Sequence, residues 1–200
     1  YKSGYLIGRQ GEEAAFSFWR YVRRRAVFIS VIFSVLWLSA SPFIAEFFKL
    51  SNIYPVIVFL PVILFGFIYH VDTGFISSRL RFGSLAALTI LEPSVKLGFA
   101  VLLVFLGLSY WSFSAIPISI IAVFLTAWFI LAGNKAGKKS DTESEIRKFP
   151  IKFFIAALVS GLSTIAFLNF DVVLAKHYLL PSDAGRYALV SLIGKIIFFS

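Results

Sequence analysis

Runs of some twenty apolar residues, separated by short polar or proline-containing turns, recur along this 200-residue chain and leave it few ways to fold. A run of about 18 or more apolar residues matches a hydrocarbon core of roughly 30 Å at 1.5 Å of rise per residue. Inside that core only helices and closed barrels satisfy their own backbone. Five complete spans are expected, at about 26–48, 53–75, 84–108, 113–132 and 150–180, and a sixth opens after "LLPSD" and is truncated at Ser200. The chain is 59% hydrophobic and 14% charged, against about half and a quarter in soluble domains. The expected fold class is therefore all-α, a polytopic membrane helix bundle. The chain has no Met and begins with Tyr, so it reads as an internal piece of a longer protein.

Proline punctuates these runs. Pro42, Pro55, Pro61, Pro93 and Pro117 lie within the first four spans, and Pro150 opens the fifth. A proline removes a backbone donor and bends a helix, which a bundle tolerates when side chains or water satisfy the freed carbonyl. Bent helices lining a cavity and simple kinks in a packed bundle both fit.

Charge asymmetry gives an orientation. Lys2, Arg9, Arg20, Arg23, Arg24 and Arg25 precede the first span; Arg79 and Arg81 sit between the second and third; Lys135, Lys138, Lys139, Arg147, Lys148 and Lys152 lie around the connection between the fourth and fifth. The alternate connections hold only Lys49, Lys176 and Arg186. By the positive-inside rule the first set is cytoplasmic, so residue 1 is expected on the cytoplasmic side of a multi-pass protein of the cytoplasmic membrane. Loops facing an anionic leaflet explain the formal charge of +9 without nucleic acid. Trp19 and Tyr21 would sit at the inner interface, and Tyr54, Tyr110 and Trp111 at the outer one, as aromatic belts.

The stretch "GNKAGKKSDTESEIRKFP" is the one long polar segment between spans. It suggests a division into residues 1–132, a leading segment plus four spans; a linker at 133–149; and residues 150–200, the start of a second group.

Catalytic chemistry finds little footing. There is no Cys, the two histidines (His70 and His177) are far apart, and no nucleophile elbow, phosphate loop or metal-ligand spacing occurs. No catalytic residue, metal or cofactor is expected, and the chain reads as a non-enzyme. His70 reads as an interfacial histidine near Asp72, and Lys176 and His177 as solvated residues at the outer end of the fifth span.

What stands out is ionisable groups at membrane depth: Glu92 and Lys96 in the third span and Asp171 in the fifth. Such groups are costly in hydrocarbon and usually face a bundle interior or a wet cavity. Glu92 and Lys96 stand four apart with the acid first, the order that favours a helical ion pair. Their helical face continues through Ala100 and Gly107. Asp171 shares a face with Thr164, Ser160 and Ala157, while Lys176, about 140° around the helix, is a poor local partner. Glu92, Lys96 and Asp171 are the substrate-binding or cavity candidates.

Two stretches carry a resemblance. "GFISSRLRFGSLAALTILEPSVKLGFAVLLVFLGLSYWSFSAI", Gly74 to Ile116, places an Arg-Phe pair (Arg81, Phe82) at the entrance to a span that ends in a glycine-closed turn. "NFDVVLAKHYLLPSDAGRYALVSLIGK", Asn169 to Lys195, places an Asp late in a span, then a short loop, then Gly-x-Tyr (Gly185, Tyr187). Together they resemble the polysaccharide biosynthesis proteins, the Wzx-type O-antigen and lipid-linked oligosaccharide flippases of the multidrug, oligosaccharidyl-lipid and polysaccharide exporter superfamily. The resemblance implies part of a two-lobe exporter fold, with 133–149 as the cytoplasmic inter-lobe linker. It also implies a flippase that moves a polyprenyl-diphosphate-linked oligosaccharide across the membrane by alternating access, with membrane lipids as partners and a coupling ion left open. A drug or metabolite exporter of the same superfamily, and a membrane polysaccharide polymerase or ligase, are the alternatives. A polymerase would be expected to carry a large outer loop, and the outer connections here are short.

Overall fold

The computed structural model describes residues 2–132 and 151–199, and every regular element among them is helical. The elements are α1 (Lys2–Gln10), α2 (Glu12–Phe47), α3 (Tyr54–Val58), α4 (Leu60–Ser78), α5 (Phe82–Phe105), a 3-10 helix (Ser109–Ser114), α6 (Ala115–Ala132), α7 (Ile151–Tyr178) and α8 (Pro181–Phe199). Five segments are long and apolar enough to cross a membrane: Glu12–Phe47, Tyr54–Ser78, Phe82–Phe105, Ser109–Ala132 and Ile155–Tyr178. The fold is an all-α polytopic bundle. The linker expected at 133–149, with Pro150, lies outside the described residues.

The chain divides into two compact units. The first holds α1, α2 as far as Pro42, and α3 to α6; the second holds Phe43–Ser51, α7 and α8.

In the first unit α6 is the central packing element, lying closely against α4 and α5. Its buried face repeats every fourth residue, through Ala115, Ser119, Val123, Ala127 and Leu131. The small residues in that stripe let helix backbones approach, the usual basis of helix association in lipid. The core is concentrated at the basic end. There Leu6 of α1, Ala14, Ala15, Phe18 and Trp19 of α2, Tyr69, Phe75 and Ile76 of α4, Leu88 of α5, and Val123, Ala127 and Leu131 of α6 form one buried cluster.

α2 is a single helix of 36 residues, about 54 Å at 1.5 Å per residue. That is far longer than a hydrocarbon core, and the basic residues from Arg20 to Arg25 belong to α2, whereas Lys2 and Arg9 lie in the separate α1. Residues 12–25 are about the first four turns of the spanning helix itself. Glu12 and Glu13 begin it, where acids suit the positive end of the helix dipole.

The prolines play two roles. Pro55 and Pro61 occupy the first turns of α3 and α4, and Pro117 that of α6, where no intrahelical donor is needed. The expected second span is thus two helices broken at Phe59, with Pro61 in the first turn of α4 rather than inside a span. The indole of Trp37 donates a hydrogen bond of 2.8 Å to the Val56 carbonyl in α3. Pro42 and Pro93 lie inside helices. Pro42 cannot donate to the Leu38 carbonyl, and the Ser41 hydroxyl donates to it instead at 2.7 Å, so α2 continues through the proline.

Three helices end alike. At the close of α5, Leu108 N donates to Leu103 O and Gly107 N to Val104 O, with Gly107 at φ +74°. This is a Schellman cap with glycine in the left-handed position. α2 and α4 close with the same bond pattern around Lys49 (φ 51°) and Leu80 (φ 55°), where a side chain must bear the strain.

Candidate functional site

Asp171 lies on α7 with its side chain 37% exposed, and three residues of α8 converge on it. The Ser191 hydroxyl donates to Oδ2 at 2.9 Å and the Tyr187 hydroxyl at 3.2 Å, while the Lys195 ammonium stands 4.0 Å from Oδ1. Oδ1 itself is buried and takes no hydrogen bond from any described residue. Tyr187, Ser191 and Lys195 are spaced by four, so they form one stripe on α8 facing α7. Pro181 starts α8 straight after the short turn, folding it back along α7 so that this stripe meets the carboxylate. On the polar stripe of α7 the exposed Thr164 bonds back to the Ser160 carbonyl at 2.9 Å, and on another face the exposed Asn169 bonds back to the Ile165 carbonyl at 2.9 Å.

Glu92 and Lys96 meet each other along α5, Nζ to Oε1 at 3.6 Å, with 31% and 42% of their side chains exposed. They flank the face through which α5 packs, beside the half-buried Leu91 and Val95. Glu92 is also within electrostatic reach of the buried Tyr69 of α4. Gly107 does not continue this face, since it lies past the helix end in the cap of α5. This pair belongs to the first unit and Asp171 to the second.

A third charged cluster was not among the expected sites. Asp72 of α4 is fully buried. The Trp19 indole donates to its Oδ1 at 2.9 Å, and the Arg23 Nε lies 3.1 Å from Oδ1 and donates to Oδ2 at 3.4 Å. Trp19 stacks on Phe75 with ring centroids 5.2 Å apart, and the Arg23 guanidinium lies over Trp19 at 5.5 Å. About two turns from Asp72 and Trp19, Arg79 binds Glu12 at 2.9 Å. Trp19 is therefore a buried donor rather than a belt residue, and Asp72 is held by α2 rather than by the exposed His70. His177 also differs from its expected solvated state. It is half-buried and stacks on Phe47 at 4.3 Å, with Nδ1 2.8 Å from the Phe47 carbonyl, one of the last carbonyls of α2 that no helical donor reaches.

Among the described residues no group of three His, Cys, Asp or Glu side chains could hold a metal.

A family model described as polysaccharide biosynthesis protein matches residues 13–196. The chain belongs to the polysaccharide biosynthesis protein family. No curated protein and no solved structure matches it. With five membrane-capable segments, this member of the polysaccharide biosynthesis family is a multi-pass membrane protein.

The residues that sequence reasoning missed had a signal. In "FSFWRYVRRR" each of Arg20, Arg23 and Arg25 follows an aromatic residue by four, and the structure lays each guanidinium over that ring: Phe16 at 5.2 Å, Trp19 at 5.5 Å and Tyr21 at 4.7 Å. Long helical side chains lean toward the helix N-terminus, so an arginine at i+4 runs back over the ring at i. On α8 the spacing 187, 191, 195 was equally visible, but only the register of the hairpin shows that it faces Asp171.

Proposed function

We propose that the protein is a transporter rather than an enzyme, a flippase that moves a polyprenyl-diphosphate-linked oligosaccharide between the leaflets of the cytoplasmic membrane by alternating access. The observation that carries this is the family match over residues 13–196 on a bundle with five membrane-capable segments. A flippase must shield a sugar and a diphosphate from hydrocarbon, which requires polar and cationic groups at membrane depth. Lys96 beside Glu92, and Lys195 with Tyr187 and Ser191 around Asp171, supply such groups. In this proposal residue 1 faces the cytoplasm, 133–149 links two lobes, membrane lipids are constant partners, and a coupling ion is the remaining partner to identify.

Reconstituting the full-length protein in vesicles with a fluorescent polyprenyl-diphosphate oligosaccharide tests it. Time-dependent loss of the label's accessibility on one face, absent from empty vesicles, is expected. Transport of a drug-like cation with no movement of the lipid-linked glycan would favour the exporter alternative. Labelling tests the orientation: a single Cys at Ser182 should react with an impermeant thiol reagent in intact cells, and one at Ser140 should not.

A further inference from the structure

Arg23 is an arginine with only one side in use. Its Nε is committed to the buried Asp72, and its guanidinium plane rests on Trp19. Its two terminal nitrogens donate no hydrogen bond to any described residue, and a quarter of the side chain is open. A guanidinium held by its Nε and by one face has lost most of its rotamer freedom, so its remaining fork of N–H groups is preorganised for a planar or tetrahedral oxyanion. Arg20 stands three residues back, on the neighbouring row of the helix surface, exposed and laid over Phe16 at 5.2 Å. Asp72 offsets a single positive charge and is fully buried, and Glu12 is taken by Arg79. The pair thus keeps net positive charge beside the packed core of the basic end.

We propose that Arg23 and Arg20 form a phosphate-ester anion site, and that in the working protein it takes the diphosphate of the lipid-linked substrate at the basic end. The source of the anion rests on the transport proposal above; the anion chemistry does not. A phospholipid headgroup offers the same chemistry, so the test must separate the two.

Trp19 is a built-in reporter, since its indole touches both Asp72 and Arg23. The full-length protein, with every other tryptophan replaced by phenylalanine, is placed in phosphatidylcholine nanodiscs. Inorganic pyrophosphate should change the Trp19 emission saturably, and Arg23→Lys, which keeps a cation for Asp72 but loses the fork, should bind about tenfold more weakly. Should that variant not fold, Arg20→Gln, which engages no polar group among the described residues, should also weaken binding. Nanodiscs doped with polyprenyl diphosphate should give the same emission change and blunt the response to pyrophosphate, and phosphatidylglycerol at the same mole fraction should not. An equal response to phosphatidylglycerol would overturn the substrate assignment and make the site a headgroup contact. No response to any of the three anions, or one unaltered by both arginine variants, would overturn the site. Pyrophosphate binding that depends on Arg23, in a protein that fails to move the lipid-linked glycan, would keep the site and sink the transport proposal instead.

Discussion

Two aspartates on apolar helices meet opposite surroundings. Asp72 is fully buried in the first unit, beside the stacked Trp19 and Phe75 and paired with Arg23. Asp171, in the second unit, is over a third exposed and is held mainly by two hydroxyls, with its lysine at the limit of an ion pair. A sealed charge with its counter-charge cannot change partners without losing packing, so it acts as a pin. A carboxylate that is over a third exposed can exchange the two hydroxyls on its Oδ2 for water, an ion or a substrate at little structural expense, while its Oδ1 stays covered. Between the two, Asp171 is the one proposed to meet a substrate, whereas Asp72 holds α2 to α4 through Trp19 and Arg23.

The largest effect should come from breaking the pin. Arg23→Leu leaves Asp72 buried without its cation, and removing one partner of a buried pair typically costs about 3–5 kcal/mol. Arg23 is a quarter open, so the lower part of that range is expected. Full-length protein carrying this variant should aggregate on solubilisation or melt well below wild type. Arg23→Leu combined with Asp72→Leu should recover much of the loss. If the single variant melts like wild type, Asp72 is no pin.

Asp171→Asn should behave the other way. The amide keeps a carbonyl for Ser191 and Tyr187 and loses only the charge that faces Lys195, so the melting curve should stay near wild type while glycan transport falls by at least about tenfold. Equal loss of folded protein and of transport would make Asp171 a second pin and erase the contrast.

That contrast was only half legible in the sequence. The spans were legible because hydrocarbon demands long apolar helices, whereas the residue pattern carried the face of α5 on through Gly107, which caps the helix instead, and only the resemblance pointed to a glycine-closed turn there. Asp171 and Glu92 stood out because acids are rare in such runs. Asp72 did not, because it lies near the end of its span among residues that read as topogenic charge. Its burial depends on α2 being helical well before residue 26, and a polar, arginine-rich segment gives little apolar signal of that. The same segment holds Trp19, whose place in the core rather than the belt depends on the face that α2 turns toward α4.

A smaller effect should come from Leu80, which closes α4 at φ 55° beside the pinned end. Its side chain is largely exposed and gains little packing there. Leu80→Gly should relieve left-handed strain and stabilise by up to about 1 kcal/mol, offset in part by the greater freedom of glycine in the unfolded chain. Gly107→Ala, at the equivalent position of α5 with open space around it, should destabilise by a similar amount. Melting points that do not separate in opposite directions would show that these caps carry no strain.

The smallest expected effect falls on the third carboxylate, Glu92, and it places that residue between the two extremes. Its partner Lys96 lies on its own helix, so their contact fastens no second element as Asp72 does, and among the described residues no other helix supplies hydroxyl donors as α8 does for Asp171. An i,i+4 pair on an exposed helix is worth about 0.3–0.5 kcal/mol, and both side chains here are about a third or more open. Lipid sharpens the asymmetry, because a lone charge in that setting costs more than the pair contributes. Lys96→Leu should therefore lower the yield of folded protein, and adding Glu92→Gln should restore it. Transport then decides the role of the lysine. If the well-folded double variant still moves the lipid-linked glycan at the wild-type rate, the pair only keeps α5 neutral. If transport fails while the fold is intact, Lys96 belongs with Asp171 among the groups that meet the substrate, and the helix holds its acid four residues away so that the cation is never left unpaired between cycles.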